Sequence, residues 1–166
     1  MNKHKIAVIG VTYPNAINFI DEYLQSLESQ TFKSFDLVLA NDGMYEIESK
    51  LMQYSLKSIV RTAEGSFSKI RFDLINYVIS EGYENIIFTD CDDVLSDNRI
   101  EVSNELLRKN PVIVNDLDII SEEGLVEQHS YFTNRIEDGD KIESSDLFHR
   151  NMMGLSNTAA KSHILI

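Results

Sequence analysis

"IAVIGVTYPNAINFIDEYLQSLESQTFKSFDLVLANDGM", residues 6–44, carries the alternation that decides the architecture. Residues 6–11 form a short apolar run rich in β-branched side chains, closed by Thr12-Tyr13-Pro14-Asn15, which reads as a buried strand entering a loop. Ile17, Ile20, Tyr23, Leu24 and Leu27 then recur at helical spacing, with Asn15 placed as a cap. Residues 35–40 (FDLVLA) make a second strand that ends in the polar turn Asn41-Asp42-Gly43. Working outward, Ile47, Leu51 and Tyr54 mark a second helix, and residues 58–60 a short strand. Phe67, Ile70, Leu74, Ile75, Val78 and Ile79 fall on one face of a helix over 67–80, which Gly82 stops before a strand at 86–88. Strands alternating with helices imply crossover connections and a mostly parallel sheet covered on both faces.

Beyond Asn98 the pattern changes. A helix over 100–107 leads into a strand at 111–114, after which 118–121 and 125–132 flank the turn Glu122-Glu123-Gly124 as a hairpin. The expected class is α/β: a Rossmann-like, mostly parallel sheet flanked by helices, with a small antiparallel hairpin in the C-terminal third. Residues 134–143 are polar and read as a mobile loop, and 158–166 as a helix still in progress at Ile166.

Composition bounds the function. A chain of 166 residues, 43% hydrophobic and 25% charged, suits one domain with a sizeable core. A net charge of -12 argues against nucleic acid or a bare anionic membrane as partner, since both need clustered Lys and Arg. The single cysteine, Cys91, excludes an internal disulfide framework. The apolar run at 6–11 is too short for a signal-peptide core or a membrane span, so the expected place is cytoplasmic. His4, His129, His149 and His163 have no metal-ligand spacing.

The stretch "FTDCDDVLSDN", residues 88–98, puts four carboxylates within eight positions behind an apolar strand. Like charges this close raise one another's pKa unless a cation or donors compensate them. Asp90, Asp92 and Asp93 offer hard oxygen ligands of the kind that suit Mg2+ or Mn2+ shared with substrate phosphates. Ligands of open α/β sheets bind beyond the carboxyl ends of the strands, and the loops 12–15, 41–44 and 90–93 all converge there. A lone Asp at such a place is often only a turn former or helix cap, and Asp97 reads as a cap. An EF-hand calcium loop fails at Val94, where an oxygen ligand is wanted, and at Leu95, where the turn needs glycine. "IIFTDCDDVL" also resembles the motif of the haloacid-dehalogenase phosphatases. There Asp90 would attack phosphorus, and Asp92 would act as acid and base beside Mg2+. That motif ordinarily occupies the first strand, whereas several strand and helix units precede it here.

A wider resemblance covers residues 6 to about 165. Leu24-Gln25-Ser26-Leu27-Glu28-Ser29-Gln30-Thr31-Phe32 matches the Leu-x-Ser-Leu-x-x-Gln-Thr-Phe helix of the inverting family 2 glycosyltransferases. Asn41-Asp42-Gly43-Met44 stands where that family has Asp-Asp-Gly-Ser, the acidic stretch resembles its Asp-x-Asp element, and "NMMGLSNTAAKSHIL" its acceptor-side segment. The resemblance implies the GT-A fold and transfer of a sugar from a nucleoside-diphosphate donor, a UDP-sugar first among them. The acceptor would be a hydroxyl of a saccharide or lipid-linked saccharide. It implies that Val11, Thr12 and Tyr13 flank the base, that Asp42 accepts a hydrogen bond from it, and that Arg71 lies near the nucleotide. Asp90 and Asp92 would reach the ribose and the metal, and Asp92 or Asp93 would bind the Mg2+ or Mn2+ that bridges the diphosphate. The chain is then a single domain over 1–166, truncated before the segment that carries the catalytic base. That base is expected beyond Ile166, and no residue of the chain is assigned to it. Residues 1–97 would be the nucleotide-binding half and 98–166 the start of the acceptor half. A peripheral place at the inner face of the membrane and a non-catalytic nucleotide-binding module remain as alternatives.

Overall fold

Every residue of β1 (Ile6–Thr12) is buried, and this strand is inner to the sheet. The computed structural model describes residues 5–132, 137, 139–143, 145–146 and 152–165. After β1 come a 3-10 turn (Pro14–Asn18), α1 (Ile20–Glu28), β2 (Asp36–Asn41), α2 (Ile47–Leu51) and β3 (Ser58–Thr62). Then follow α3 (Phe67–Ser80), β4 (Asn85–Phe88), α4 (Arg99–Leu106), β5 (Val112–Val114), β6 (Ile119–Ile120), β7 (Val126–Gln128) and β8 (Thr158–Lys161). Six strands form one sheet in the order β3-β2-β1-β4-β8-β5. The first four are mutually parallel, while β8 runs antiparallel to both β4 and β5. β6 and β7 make the separate antiparallel hairpin, turning at Gly124 with φ +77.

Alternation along β1 divides the core into two layers. Ile6 and Val8 face Ile20, Leu24, Leu27, Ile47, Leu51 and Ile100, so α1, α2 and α4 cover one side. Ala7, Ile9 and Val11 face Ile70, Leu74 and Val78 of α3 on the other. Each such Val, Leu or Ile side chain contributes roughly 1.5–3 kcal/mol when fully buried. The end of α3 follows from Gly82 (φ +75): Gly82 N donates to Ile79 O and Tyr83 N to Val78 O, the paired bonds of a left-handed helix stop.

Two expectations are corrected here. Residues 158–165 are not a helix: Thr158–Lys161 is a strand, and only Ser162–Ile164 turns as a 3-10 helix. Ala159 and Ala160 favour a helix locally, but β4 and β5 both present open ladder edges, and slotting β8 between them buries both alanines completely or nearly so. Asn15 does not cap α1 either. Pro14 starts a separate 3-10 turn, and α1 begins after Phe19 with no side-chain cap. The polar loop read at 134–143 lies partly outside the described residues, and His4, His149 and Ile166 lie outside them altogether. Among the described residues the segment thus finishes in that 3-10 turn and Leu165, and the catalytic base expected beyond Ile166 falls on no described residue. No described helix is long and apolar enough to cross a membrane.

Gly10 shows how tightly the α1 side is built. The buried Tyr23 hydroxyl lies 2.7 Å from Thr89 Oγ1, which in turn donates to Ile9 O at 3.0 Å, so Tyr23 is the donor. A Cβ on Gly10 would sit 3.1 Å from the Tyr23 oxygen and 3.2 Å from Thr89 Oγ1. Gly10→Ala is therefore expected to cost about 1–3 kcal/mol, lowering Tm by roughly 2–4 °C per kcal/mol. In thermal melts the double variant Gly10→Ala/Tyr23→Phe should recover part of that loss, because the oxygen that collides is gone; strict additivity would refute the contact.

Candidate functional site

The ends of β1 and β2 are stitched together by one amide. Thr12, fully buried, donates from Oγ1 to Asn41 Oδ1 at 3.2 Å. Met44 N donates to the same oxygen at 2.8 Å, and Asn41 Nδ2 donates to Met44 O at 3.0 Å. A carboxylate could not make that last bond, which accounts for Asn rather than Asp at position 41. Asp42 N donates to Thr12 O at 2.8 Å, leaving the Asp42 carboxylate half-buried at the sheet's edge without a side-chain hydrogen bond among the described residues.

The acidic stretch folds into a turn closed by Asp93 N donating to Asp90 O at 3.2 Å, which gathers three carboxylates beside the ends of β1 and β4. Tyr13 donates its hydroxyl to Asp92 Oδ2 at 3.0 Å, joining the loop after β1 to the loop after β4. Arg71 reaches from α3 to Asp90 Oδ1 at 2.7 Å, both side chains about one-third exposed. Burial holds the Asp90 carboxyl above the usual range; Arg71 opposes that rise and Asp92 reinforces it. Desolvation and then the charges of Asp90 and Asp92 also raise Asp93, against a hydrogen bond from Ser156. Burial and the bond to Asp92 push Tyr13 up to about 12. Cys91 is fully buried, and burial with Asp92 and Asp90 pushes its thiol up to about 12, so it is a packing residue and not a nucleophile.

The donor set fits a hard divalent cation in part. Among the described residues no three His, Cys, Asp or Glu side chains form a ready metal cage. Asp92 and Asp93 are exposed neighbours whose repulsion a cation would relieve, and two carboxylates completed by other oxygens is the usual Mg2+ arrangement. Val11 lies elsewhere: it lines a shallow depression between β1 and α3 with Arg71, Ile75 and Leu155. Asp116 and Asp118 stitch the hairpin, accepting from Phe132 N at 2.7 Å and Ser130 N at 2.8 Å.

Sequence reasoning assigned no role to three residues that reach this loop from α1 and just beyond it. Gln30, fully buried, donates from Nε2 to Ser96 O at 2.8 Å and accepts at Oε1 from Ile100 N at 3.0 Å. Ser26 Oγ accepts from Leu95 N at 3.2 Å, and Thr31 N donates to Asp97 O at 2.8 Å. Asp97 is thus not a cap. Asn98 holds the cap position of α4 without a side-chain bond, and Gln30 satisfies one of that helix's free N–H groups from a distance. The available signal was polar residues on an apolar face: Ser26 and Gln30 follow Tyr23 at helical spacing.

Replacing one of the crowded carboxylates should stabilise the ligand-free chain. Asp93→Asn keeps an acceptor for Ser156 and removes one negative charge, so Tm at pH 7 is expected to rise by about 1–3 °C after solvent screening. The gain should shrink as pH falls through the raised range in which Asp93 takes up its proton; a fall in Tm at pH 7 would show that the repulsion is already compensated.

No protein-family model and no curated protein matches this sequence. Solved structures match its shape. S. aureus TarS 1–349 in complex with UDP superposes with a TM-score of 0.65 at 19% identity, over 97% of this chain and 48% of that one. The same fragment in complex with UDP-GlcNAc gives 0.65 at 17% identity, over 97% and 46%. The 4-diphosphocytidyl-2C-methyl-D-erythritol synthase of Anaerococcus prevotii DSM 20548 gives 0.60 at 12% identity, over 97% and 71%. The chain spans about half the length of the TarS fragment. At these identities the likeness is one of fold, and the fold is GT-A: a mixed sheet, parallel over its first four strands, between helical layers, with a small antiparallel hairpin.

Proposed function

We propose that the protein binds a nucleoside-diphosphate sugar, a UDP-sugar first among candidates, and transfers the sugar with inversion to a hydroxyl of a saccharide or lipid-linked saccharide. One observation carries this reading: the Tyr13–Asp92 and Arg71–Asp90 contacts draw the loop after β1, helix α3 and the loop after β4 into one acidic cluster at the carboxyl edge of the sheet. The shared fold with a protein crystallised with UDP and with UDP-GlcNAc supports it.

In this reading Tyr13, with the buried Thr12 behind it, forms the wall against which the base lies, Val11 flanks the base only from the depression it lines beside Arg71, and the Asp42 carboxylate, without a side-chain hydrogen bond among the described residues, accepts from a base N–H. Asp90, oriented by Arg71, accepts from the ribose hydroxyls. Asp92 and Asp93 would hold Mg2+ or Mn2+, which when bound neutralises the charge that grows on the departing diphosphate. Asp90, Asp92 and Asp93 are engaged by Arg71, Tyr13 and Ser156, so the carboxylate that deprotonates the acceptor is sought outside this cluster. Residues 1–97 form the donor half, 98–166 begin the acceptor half, and the chain works in the cytoplasm. The phosphatase reading is weaker because it needs Asp90 as a free nucleophile, and Arg71 occupies one of its oxygens at 2.7 Å.

Calorimetric titration with UDP, GDP and UMP, with and without Mn2+, tests the proposal. UDP should bind at least about tenfold more tightly with Mn2+, within the usual range of coupling between two ligands. UMP should show little metal dependence, and Asp92→Asn should abolish the increment. No nucleotide binding, together with Asp90- and Mg2+-dependent hydrolysis of a simple phosphate ester, would replace transferase by phosphatase. UDP binding without sugar transfer to any acceptor would leave the non-catalytic module.

A further inference from the structure

We infer that Gln30 and Ser26 are positioning residues that set the geometry of the acidic loop without touching its carboxylates; the inference concerns the site of the reading above and rests on that reading for its metal. The loop 90–94 hangs between two fixed ends, and both are held by α1 and the turn that follows it. At its start, Thr89 N donates to Ile9 O at 2.9 Å, and Thr89 Oγ1 accepts from Tyr23 at 2.7 Å. At its finish, Leu95 N is held by Ser26, Ser96 O and Ile100 N by Gln30, and Asp97 O by Thr31 N. Thr31 Oγ1 adds a bond to Glu101 at 2.7 Å. Tyr23, Ser26 and Gln30 stand at i, i+3 and i+7, an inward stripe that runs along α1 and continues just past its end at Glu28.

That stripe is an unusual use of a core-facing surface. Gln30 and Tyr23 have no solvent exposure, and Ser26 has 7%. Burying such groups is costly unless their bonds are made, and here they are: Gln30 Nε2 donates to both Ser26 O and Ser96 O, and its oxygen accepts as well. Every bond from Ser26 and Gln30 to the loop's far end goes to main chain, so what is fixed is the path of the backbone. None goes to Asp90, Asp92 or Asp93. The clamp therefore acts by removing conformational freedom from a short loop whose carboxylates repel one another, holding Asp92 and Asp93 in place before any cation arrives. A helix that packed by apolar contacts alone would anchor the layer equally well, but it would leave the loop's backbone groups without partners.

The test uses the intact chain and two variants, Ser26→Ala and Gln30→Met, compared at a temperature where each is folded. The first readout is free of nucleotide. By 15N relaxation, amides of residues 90–94 should be rigid in the wild type and fall below an order parameter of about 0.6 in Gln30→Met. The second readout is Mn2+ alone, followed by its broadening of the same amides. Its apparent affinity should fall about tenfold, the scale on which partners behind a metal ligand act. UMP affinity should stay unchanged. A loss of Tm with loop order and Mn2+ affinity both intact in both variants would make Gln30 and Ser26 merely structural and overturn the inference. Loosening of 90–94 in a protein whose wild type binds no UDP would uphold the clamp while removing the transferase reading, so the two failures are separable.

Discussion

A strand buried along its whole length must satisfy all of its backbone groups within the protein, and β1 does so by pairing with β2 on one side and β4 on the other. That constraint organises everything else. Both neighbours are parallel to it, so their carboxyl ends lie at one edge, and the loops that leave them have to share the same space. Both of its faces are apolar, so helices have to cover each, α3 on one side and α1, α2 and α4 on the other. Tyr13, Asp42 and the acidic stretch gather at that edge because each follows the carboxyl end of one of these parallel strands.

Concentrating carboxylates at this edge carries an electrostatic cost, and the surroundings offset it only in part. Arg71 engages Asp90, Tyr13 engages Asp92 and Ser156 engages Asp93, yet Asp90 and Asp93 are still held above the usual carboxylate range. The loop is kept in place by main-chain bonds from α1 rather than by neutralising its charge. Rigid backbone with residual negative potential is an arrangement suited to a cation that arrives with a ligand and leaves with it. The opposite arrangement, a fully paired and neutral cluster, would be more stable and would have nothing left to bind.

The parallel half was readable in the residues. β1, β2, β4 and α3 each announce themselves by a clean apolar run or a helical period, and local preference and tertiary demand agree there. The failures share a cause. From Thr158 onward the local preference of Thr-Ala-Ala-Lys says helix, while the unpaired edges of β4 and β5, distant in sequence, require a strand. Asn15 and Asp97 are good capping residues by type, but a 3-10 turn intervenes at the first and Gln30 supplies the hydrogen bond at the second. Pro14 beside Asn15 is a local sign of the first event, whereas nothing within a few residues of Asp97 reports on the second.

Sequence by itself determined the alternation of strand and helix, the places where polar turns end the strands, and the crowding of Asp90, Asp92 and Asp93 behind an apolar strand, since all are local in the chain. Tertiary structure decided which of those residues meet. Tyr13 and Asp92 are 79 positions apart and share a hydrogen bond, and Gln30 reaches Ser96 across 66. Such contacts depend on how β1 and β4 pair and on how α1 lies across them, geometry that is set by burial of two apolar layers at once and is encoded at no single position.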